Sequence, residues 1–206
     1  MEKENRHVYP ELVRGIDREA KERLLAQRGK VLWMYGLSGS GKSTLVSGLE
    51  QRLYKEGGFT QVLDGDCMRS GLNRDLGFSD ADRLENIRRV AEVARLLKDN
   101  GVIVLAAFIT PSRKMREQAR SIIGTKDFLE IYLKCSLEAC AQRDVKGLYA
   151  KAKAGEVASF TGYGSDFEAP ESGTADLVLD TEALSSAECV DQLYNLVAPL
   201  RQPQIG

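Results

Sequence analysis

Short apolar runs alternate along the chain with stretches whose apolar positions recur every three or four residues. The runs are Lys30–Tyr35, Thr60–Asp64, Val102–Phe108, Phe128–Lys134 and Asp176–Asp180, each of strand length. A helix is predicted from Gly41 to near Gly57, presenting Leu45, Leu49 and Leu53 to a sheet. A longer one starts after Ser79, where Ser79-Asp-Ala-Asp82 resembles a capping box. Leu84, Ile87, Val90, Ala91, Ala94 and Leu97 then keep helical spacing until Gly101. Ser112–Ile123 and Ser136–Arg143 read as further helices. A last helix opens at Ser185-Ser-Ala-Glu188, with Val190, Leu193, Tyr194 and Val197 on one side. Strands alternating with helices predict an α/β fold: a parallel sheet covered on both faces, in three layers α/β/α.

Two segments depart from this pattern. Residues 1–28 are charged, with a modest helical spacing of Leu12, Ile16, Leu24 and Leu25, and read as an N-terminal helical extension. Residues 29–206 then form one domain. Within it, residues 144–175 carry Lys146, Lys151, Lys153 and five glycines, too polar for a core and too long for an ordinary connection. Such a segment beside a ligand site is expected to act as a basic lid.

The first strand runs into Gly36-Leu-Ser-Gly-Ser-Gly-Lys-Ser43, a complete phosphate-binding loop, followed by Thr44 and the first long helix. Glycines at 36, 39 and 41 permit backbone conformations that a Cβ opposes. The N–H groups of Leu37, Ser38, Gly39, Ser40 and Gly41 can then converge on phosphate at a helix N-terminus. Lys42 is placed to reach the β and γ oxygens, and the Ser43 hydroxyl to ligate Mg²⁺. Strand before and helix after supply the context the motif requires, so ATP or a similar triphosphate is the expected co-substrate in a P-loop NTPase fold.

Bulk properties narrow the field. A net charge of −1 over 206 residues gives no basic field for nucleic acid. No apolar stretch is long enough to span a bilayer, and the opening residues are not a signal peptide. Four cysteines at 67, 135, 140 and 189 lack a C-x-x-C pair and read as reduced thiols of a cytoplasmic protein. The lone histidine, His7, rules out a His-dependent triad, so acid–base work falls to carboxylates.

The strand at Thr60–Asp64 ends in Asp64-Gly-Asp66, with Arg69 just beyond. Carboxylates at the C-terminal end of a parallel strand face the ligand crevice. One can hold water on Mg²⁺, and the other can take a proton from an attacking hydroxyl. A plainer reading is that the pair caps the next helix. Cys67 beside it is expected to be a small buried side chain. Arg88 and Arg89, in a charge-rich helix, are expected to be structural or solvated.

Further blocks follow: Gly71-Leu-Asn-Arg-Asp-Leu-Gly-Phe-Ser79, Glu85-Asn-Ile-Arg-Arg89, Phe108-Ile109 with Pro111, Gln142-Arg-Asp144 with Lys146-Gly-Leu-Tyr149, Phe160-Thr-Gly162 and Glu168-Ala-Pro170. With the phosphate loop and Asp64-Gly-Asp66, these closely resemble adenylylsulfate (APS) kinases over nearly the whole chain. The resemblance implies transfer of the ATP γ-phosphate to the 3′-hydroxyl of adenosine 5′-phosphosulfate. It implies that Phe78 and Phe160 sandwich the acceptor adenine and that Arg69 and Arg83 hold the phosphosulfate. Asn86 should lie beside them, Ile109 at the pocket floor, and Lys146 on the lid. Asp66 is the expected base, Lys42 the phosphate-stabilising cation, and Asp64 part of the magnesium shell with Ser43. A homodimer is the expected assembly, with neither nucleic acid nor membrane as partner.

The chain departs from the family pattern at three places. Cys67 and Ser70 replace an asparagine and a histidine, Thr110 replaces a serine, and Tyr163, Gly164, Asp166 and Phe167 alter the lid. The serine position is associated in the family with a phosphorylated intermediate, so Thr110 is a candidate catalytic residue. Direct in-line transfer is the favoured expectation, because positioning and charge stabilisation suffice for phosphoryl transfer. A kinase of a different nucleotide, or a non-catalytic nucleotide-binding subunit, are the alternatives at this level.

Overall fold

The computed structural model describes residues 15–144, 147–153, 155, 160–162 and 164–201. The elements in chain order are α1 (Arg18–Leu25), β1 (Lys30–Tyr35), α2 (Lys42–Lys55), β2 (Thr60–Asp64), α3 (Gly65–Ser70), α4 (Asp80–Lys98) and β3 (Ile103–Phe108). They continue with α5 (Arg113–Ile123), β4 (Phe128–Lys134), α6 (Leu137–Arg143), α7 (Leu148–Lys153), β5 (Phe160–Thr161), β6 (Gly164–Ser165), β7 (Leu177–Asp180) and α8 (Ser186–Val197).

The main sheet has the order β2-β3-β1-β4-β7, all neighbours parallel. Successive β1 side chains point to opposite layers, as strand geometry demands. Val31, Trp33 and Tyr35 pack with Ile87, Val90 and Ala94 of α4 and with Met115 and Ala119 of α5. Leu32 and Met34 pack with Leu45 and Leu49 of α2 and with Leu193 and Val197 of α8. Burial on both faces explains the unbroken apolar run. Each fully buried Leu or Ile contributes roughly 1.5–3 kcal/mol. Strand order reverses at β1, whose C-terminal end lies between β3 and β4. That crevice is where ligands bind in open α/β sheets.

Most predicted helices stand, with Ser79, Ser112, Ser136 and Ser185 as N-caps. The reciprocal capping box forms at Ser185 and Glu188. At Ser79 the hydroxyl accepts from the Asp82 N–H and donates to the Asp82 carboxylate. The last strand begins at Leu177 rather than Asp176, whose carboxylate accepts from the Glu130 N–H at 2.7 Å while its own N–H donates to the Glu130 carbonyl at 2.9 Å.

The N-terminal extension is helical over Arg18–Leu25, with Ile16 and Leu24 71% and 85% exposed, and Leu12 lies outside the described residues. Polar contacts hold α1. Arg18 donates to both oxygens of Asp127 and to the Gly29 carbonyl, and the fully buried Gln27 side chain bonds to Phe59 and Gly101. The 144–175 segment is not a plain loop. It contains α7 and the β5–β6 pair, and its Tyr149 and Thr161 are buried. Cys67, expected to be buried, is exposed on α3, because α3 has no buried residue and lies outside the sheet layers.

Candidate active site

The phosphate loop crosses from β1 to α2 through three left-handed or near-left-handed glycines, at φ 156° for Gly36, 78° for Gly39 and 98° for Gly41. A Cβ on Gly36 would sit 2.7 Å from the Leu133 carbonyl oxygen, and one on Gly39 would sit 2.9 Å from the Cys140 carbonyl oxygen. The loop is therefore pressed against β4 and α6, and only glycine fits there. Lys42 Nζ curls back to donate to the carbonyls of Gly36 at 2.9 Å and Leu37 at 2.7 Å. This places the ammonium inside the loop.

Asp64 makes contacts in two directions. Its Oδ1 accepts from the Asp66 and Cys67 N–H groups, capping α3. Its Oδ2 accepts from the Ser43 hydroxyl at 3.3 Å. The cap thus fixes a carboxylate oxygen beside the hydroxyl that ends the phosphate loop. Asp66, in the first turn of α3, lines the same cleft.

That cleft encloses about 870 Å³ and is lined by Ser38–Leu45 together with Asp64, Asp66, Arg69, Phe78, Arg83, Asn86, Ile109 and Thr110. The triphosphate cradle and the predicted acceptor residues therefore share one cavity. Phe78 is 63% exposed, which rules out a core role. The Arg69 guanidinium lies 4.4 Å from the centre of its ring and donates to the carbonyls of Leu76 and Gly77. Arg83 donates to the Phe78 carbonyl at 3.0 Å and to the Thr161 hydroxyl at 2.7 Å. The two arginines thus hold the turn that presents Phe78. Burial, and then the neighbouring charge of Arg83, make the Arg69 cation less favourable than usual. Two crowded cations in one cleft are suited to an anion between them. Phe160 lies in β5, but its side chain is outside the described residues, as is Lys146 entirely.

Thr110 carries an unusual backbone, at φ 42° for a β-branched residue, and is 2% exposed. Its hydroxyl accepts from Trp33 Nε1 at 3.0 Å, and its carbonyl accepts from the buried Arg116. Arg88 and Arg89 bond to Glu85, and Arg89 also to Asp75, as expected of structural arginines.

Three contacts had no assigned role in the sequence reading. Tyr149 donates from its hydroxyl to the Ser38 carbonyl at 2.8 Å, pinning α7 to the phosphate loop. Arg143 reaches the Gly39 carbonyl at 3.5 Å and the Thr181 carbonyl at 2.6 Å. Thr161 joins the β5 strand to Arg83. Tyr149 and Thr161 fall inside recognisable blocks, but their partners lie 111 and 78 residues away. Beneath the loop, Cys135 and Cys140 pack with Leu37 and Tyr149, and burial pushes the Cys140 thiol up to about 12.

Comparison with known proteins shows the family and the fold. The family model described as adenylylsulphate kinase matches residues 28–180. An adenylyl-sulfate kinase of Phocaeicola vulgatus is 53% identical over 200 residues, covering 97% of this chain and 96% of its own. The chain belongs to the adenylylsulphate kinase family. A Mycobacterium tuberculosis APS kinase of this family, solved in complex with AMPPNP and APS, superposes with a TM-score of 0.79 at 44% identity. The alignment covers 84% of this chain and 99% of that one. A hexameric APS kinase from Thiobacillus denitrificans gives a TM-score of 0.64 at 30% identity, covering 87% of this chain and 30% of that one. Family membership makes the activity that of an ATP-dependent phosphotransferase with a hydroxyl acceptor, and the three-layer P-loop architecture is the one expected from the sequence.

Proposed function

We propose that this chain transfers the ATP γ-phosphate directly to the 3′-hydroxyl of adenosine 5′-phosphosulfate, with Asp66 as general base. The observation that carries the reading is the single cleft holding Lys42 and the phosphate loop together with Asp66, Arg69 and Phe78. The loop N–H groups and Lys42 bind the triphosphate and stabilise charge on the moving phosphoryl group. Asp66 accepts the proton of the 3′-hydroxyl. That oxygen then bonds to the γ-phosphorus while the bond to the β–γ bridging oxygen breaks, leaving ADP. Phe78 stacks on the adenine, and Arg69, Arg83 and Asn86 hold the phosphosulfate. Phe160 as the second stacking ring and Lys146 as a lid cation are carried by the resemblance.

The Ser43 hydroxyl beside the Asp64 carboxylate is a pair of hard oxygen ligands at the end of a phosphate cradle, which fits Mg²⁺. When bound, the ion neutralises charge on the β and γ oxygens. Direct transfer is favoured over a phosphorylated Thr110, because that hydroxyl is committed to Trp33 Nε1 in a nearly solvent-free position. Closure of the 144–175 segment over the cleft would exclude water and suppress ATP hydrolysis.

Four free cysteines are compatible with a reducing cytoplasm, and no helix among the described residues is long and apolar enough to cross a membrane. A homodimer is the assembly proposed, and sedimentation of the purified chain reads it directly. The reaction itself is tested by a coupled assay of ADP release with adenylyl sulfate, AMP and other nucleotides as acceptors. Rapid turnover with adenylyl sulfate alone is the expected result. Preference for another nucleotide would reassign the acceptor.

A further inference from the structure

Thr161 ends β5, is 2% exposed, and lines the cleft. Its hydroxyl accepts from Arg83 Nη1 at 2.7 Å. The polarity of this bond is fixed by chemistry, because a guanidinium carries donors only. Arg83 Nε donates in turn to the Phe78 carbonyl at 3.0 Å. A planar group held at two of its nitrogens has its plane set, and with it the direction of every other N–H. Phe78 fixes one nitrogen through the backbone of its own turn. Thr161 fixes the other from a segment 78 residues away.

The residue after Thr161 holds it in place. Gly162 has φ 91°, and a Cβ there would lie 2.6 Å from Leu137 Cδ1 of α6 and 3.6 Å from Leu37 Cδ2 of the phosphate loop. The backbone therefore lies close against α6 and the phosphate loop, in a conformation that favours glycine. Alongside, β5 pairs in parallel with β6, Thr161 opposite Ser165. The hydroxyl thus reaches Arg83 from a support built on the triphosphate half of the cleft. A buried β-branched strand position suits valine on packing grounds, so the hydroxyl needs a further reason, and the bond to Arg83 supplies it.

We infer that Thr161 is a positioning residue whose hydroxyl orients the Arg83 guanidinium toward the phosphosulfate of the acceptor nucleotide. This rests on the proposed placement of Arg83 against that group. The same bond ties the acceptor half of the cleft to the segment seated on the phosphate loop.

The test uses the full chain, with KM for adenylyl sulfate and for ATP read separately and thermal melting as a check on folding. Thr161→Val keeps the branched shape and removes the lone-pair oxygen. Its KM for adenylyl sulfate should rise about tenfold while KM for ATP stays parental. Thr161→Ala carries the same expectation and serves if the valine variant melts early. Thr161→Ser restores the hydroxyl and should bring KM for adenylyl sulfate to within about twofold of the parent's. Arg83→Ala should raise the same KM, and adding Thr161→Val to it should raise it no further. A parental KM in Thr161→Val would overturn the inference, and so would additive effects in the double variant. Thr161→Ser as impaired as Thr161→Val would assign the effect to the methyl group and overturn it too, as would equal rises in KM for both substrates. If Arg83→Ala itself leaves KM for adenylyl sulfate unchanged, the placement of Arg83 against the phosphosulfate has failed, and the role of Thr161 fails with it.

Discussion

The Tyr149 hydroxyl donates a 2.8 Å hydrogen bond to the carbonyl of Ser38, tying the helix α7 to the phosphate loop. Burial raises the phenol pKa, so the group remains a donor through the neutral and mildly alkaline range. Tyr149→Phe removes this bond without changing the packing. A net loss of about 1 kcal/mol is expected, and with it a roughly fivefold rise in KM for ATP. KM for adenylyl sulfate should not move. Initial-rate kinetics with each substrate varied in turn will show whether the effect is confined to ATP.

Asp66 lines the cleft from the first turn of α3, on a backbone fixed by the Asp64 cap. Asp66→Asn preserves that shape but cannot accept a proton. Turnover should fall by about a hundredfold or more, with ATP affinity in calorimetry close to the parent's. Near-parental kcat in this variant would mean that another group removes the proton.

Phe78 exposes most of its ring while Arg69 covers one face. Truncation to alanine removes the stacking surface and leaves the Arg69 guanidinium without its aromatic support. KM for adenylyl sulfate should increase roughly tenfold or more, at unchanged ATP affinity. An unaltered acceptor KM would place the adenine elsewhere.

Thr110→Ala separates two mechanisms. The substitution strips Trp33 Nε1 of its acceptor, at a cost of about 1–3 kcal/mol in stability. Turnover should nevertheless persist, because direct transfer does not use the hydroxyl. Loss of all activity, together with a phosphothreonine trapped in the parent and identified by mass spectrometry, would establish the two-step route instead.

Asp127 anchors the N-terminal helix. Burial by itself would raise its carboxyl, but hydrogen bonds and charge from Arg18 and Lys98 outweigh that and hold it well below the ordinary carboxylate range. A depressed folded-state pKa stabilises the fold at pH values above the unfolded value and loses that contribution as pH falls through the folded one. Asp127→Asn should therefore lower stability at neutral pH by about 1–2 kcal/mol, after allowance for partial exposure. The gap between variant and parent should narrow below about pH 4. Urea titrations across that range measure both points, and a gap that stays constant would show that the charge is not the source.

The phosphate loop was legible because its glycines, Lys42 and Ser43 are contiguous, and their chemistry is set by local backbone geometry. Asp64-Gly-Asp66 was legible for the same reason, although its double role as helix cap and partner of Ser43 needed α2 and β2 to lie side by side. The exposure of Cys67 and Leu24 was not readable, since apolar character alone does not say which face of a short helix meets the sheet. The polar docking of α1 through Arg18 and Asp127 left no trace in hydrophobic spacing.

Periodicity and motif chemistry were thus enough for the layered α/β architecture, the strand that feeds the phosphate loop, and the class of reaction. They act over a few neighbouring residues, within reach of one turn or one strand. Folding alone could bring Tyr149 to Ser38, Thr161 to Arg83, and Asn73 to Asn86. Those pairings join segments that share no local pattern, so they exist only once the sheet and its covering helices have fixed where each segment lies.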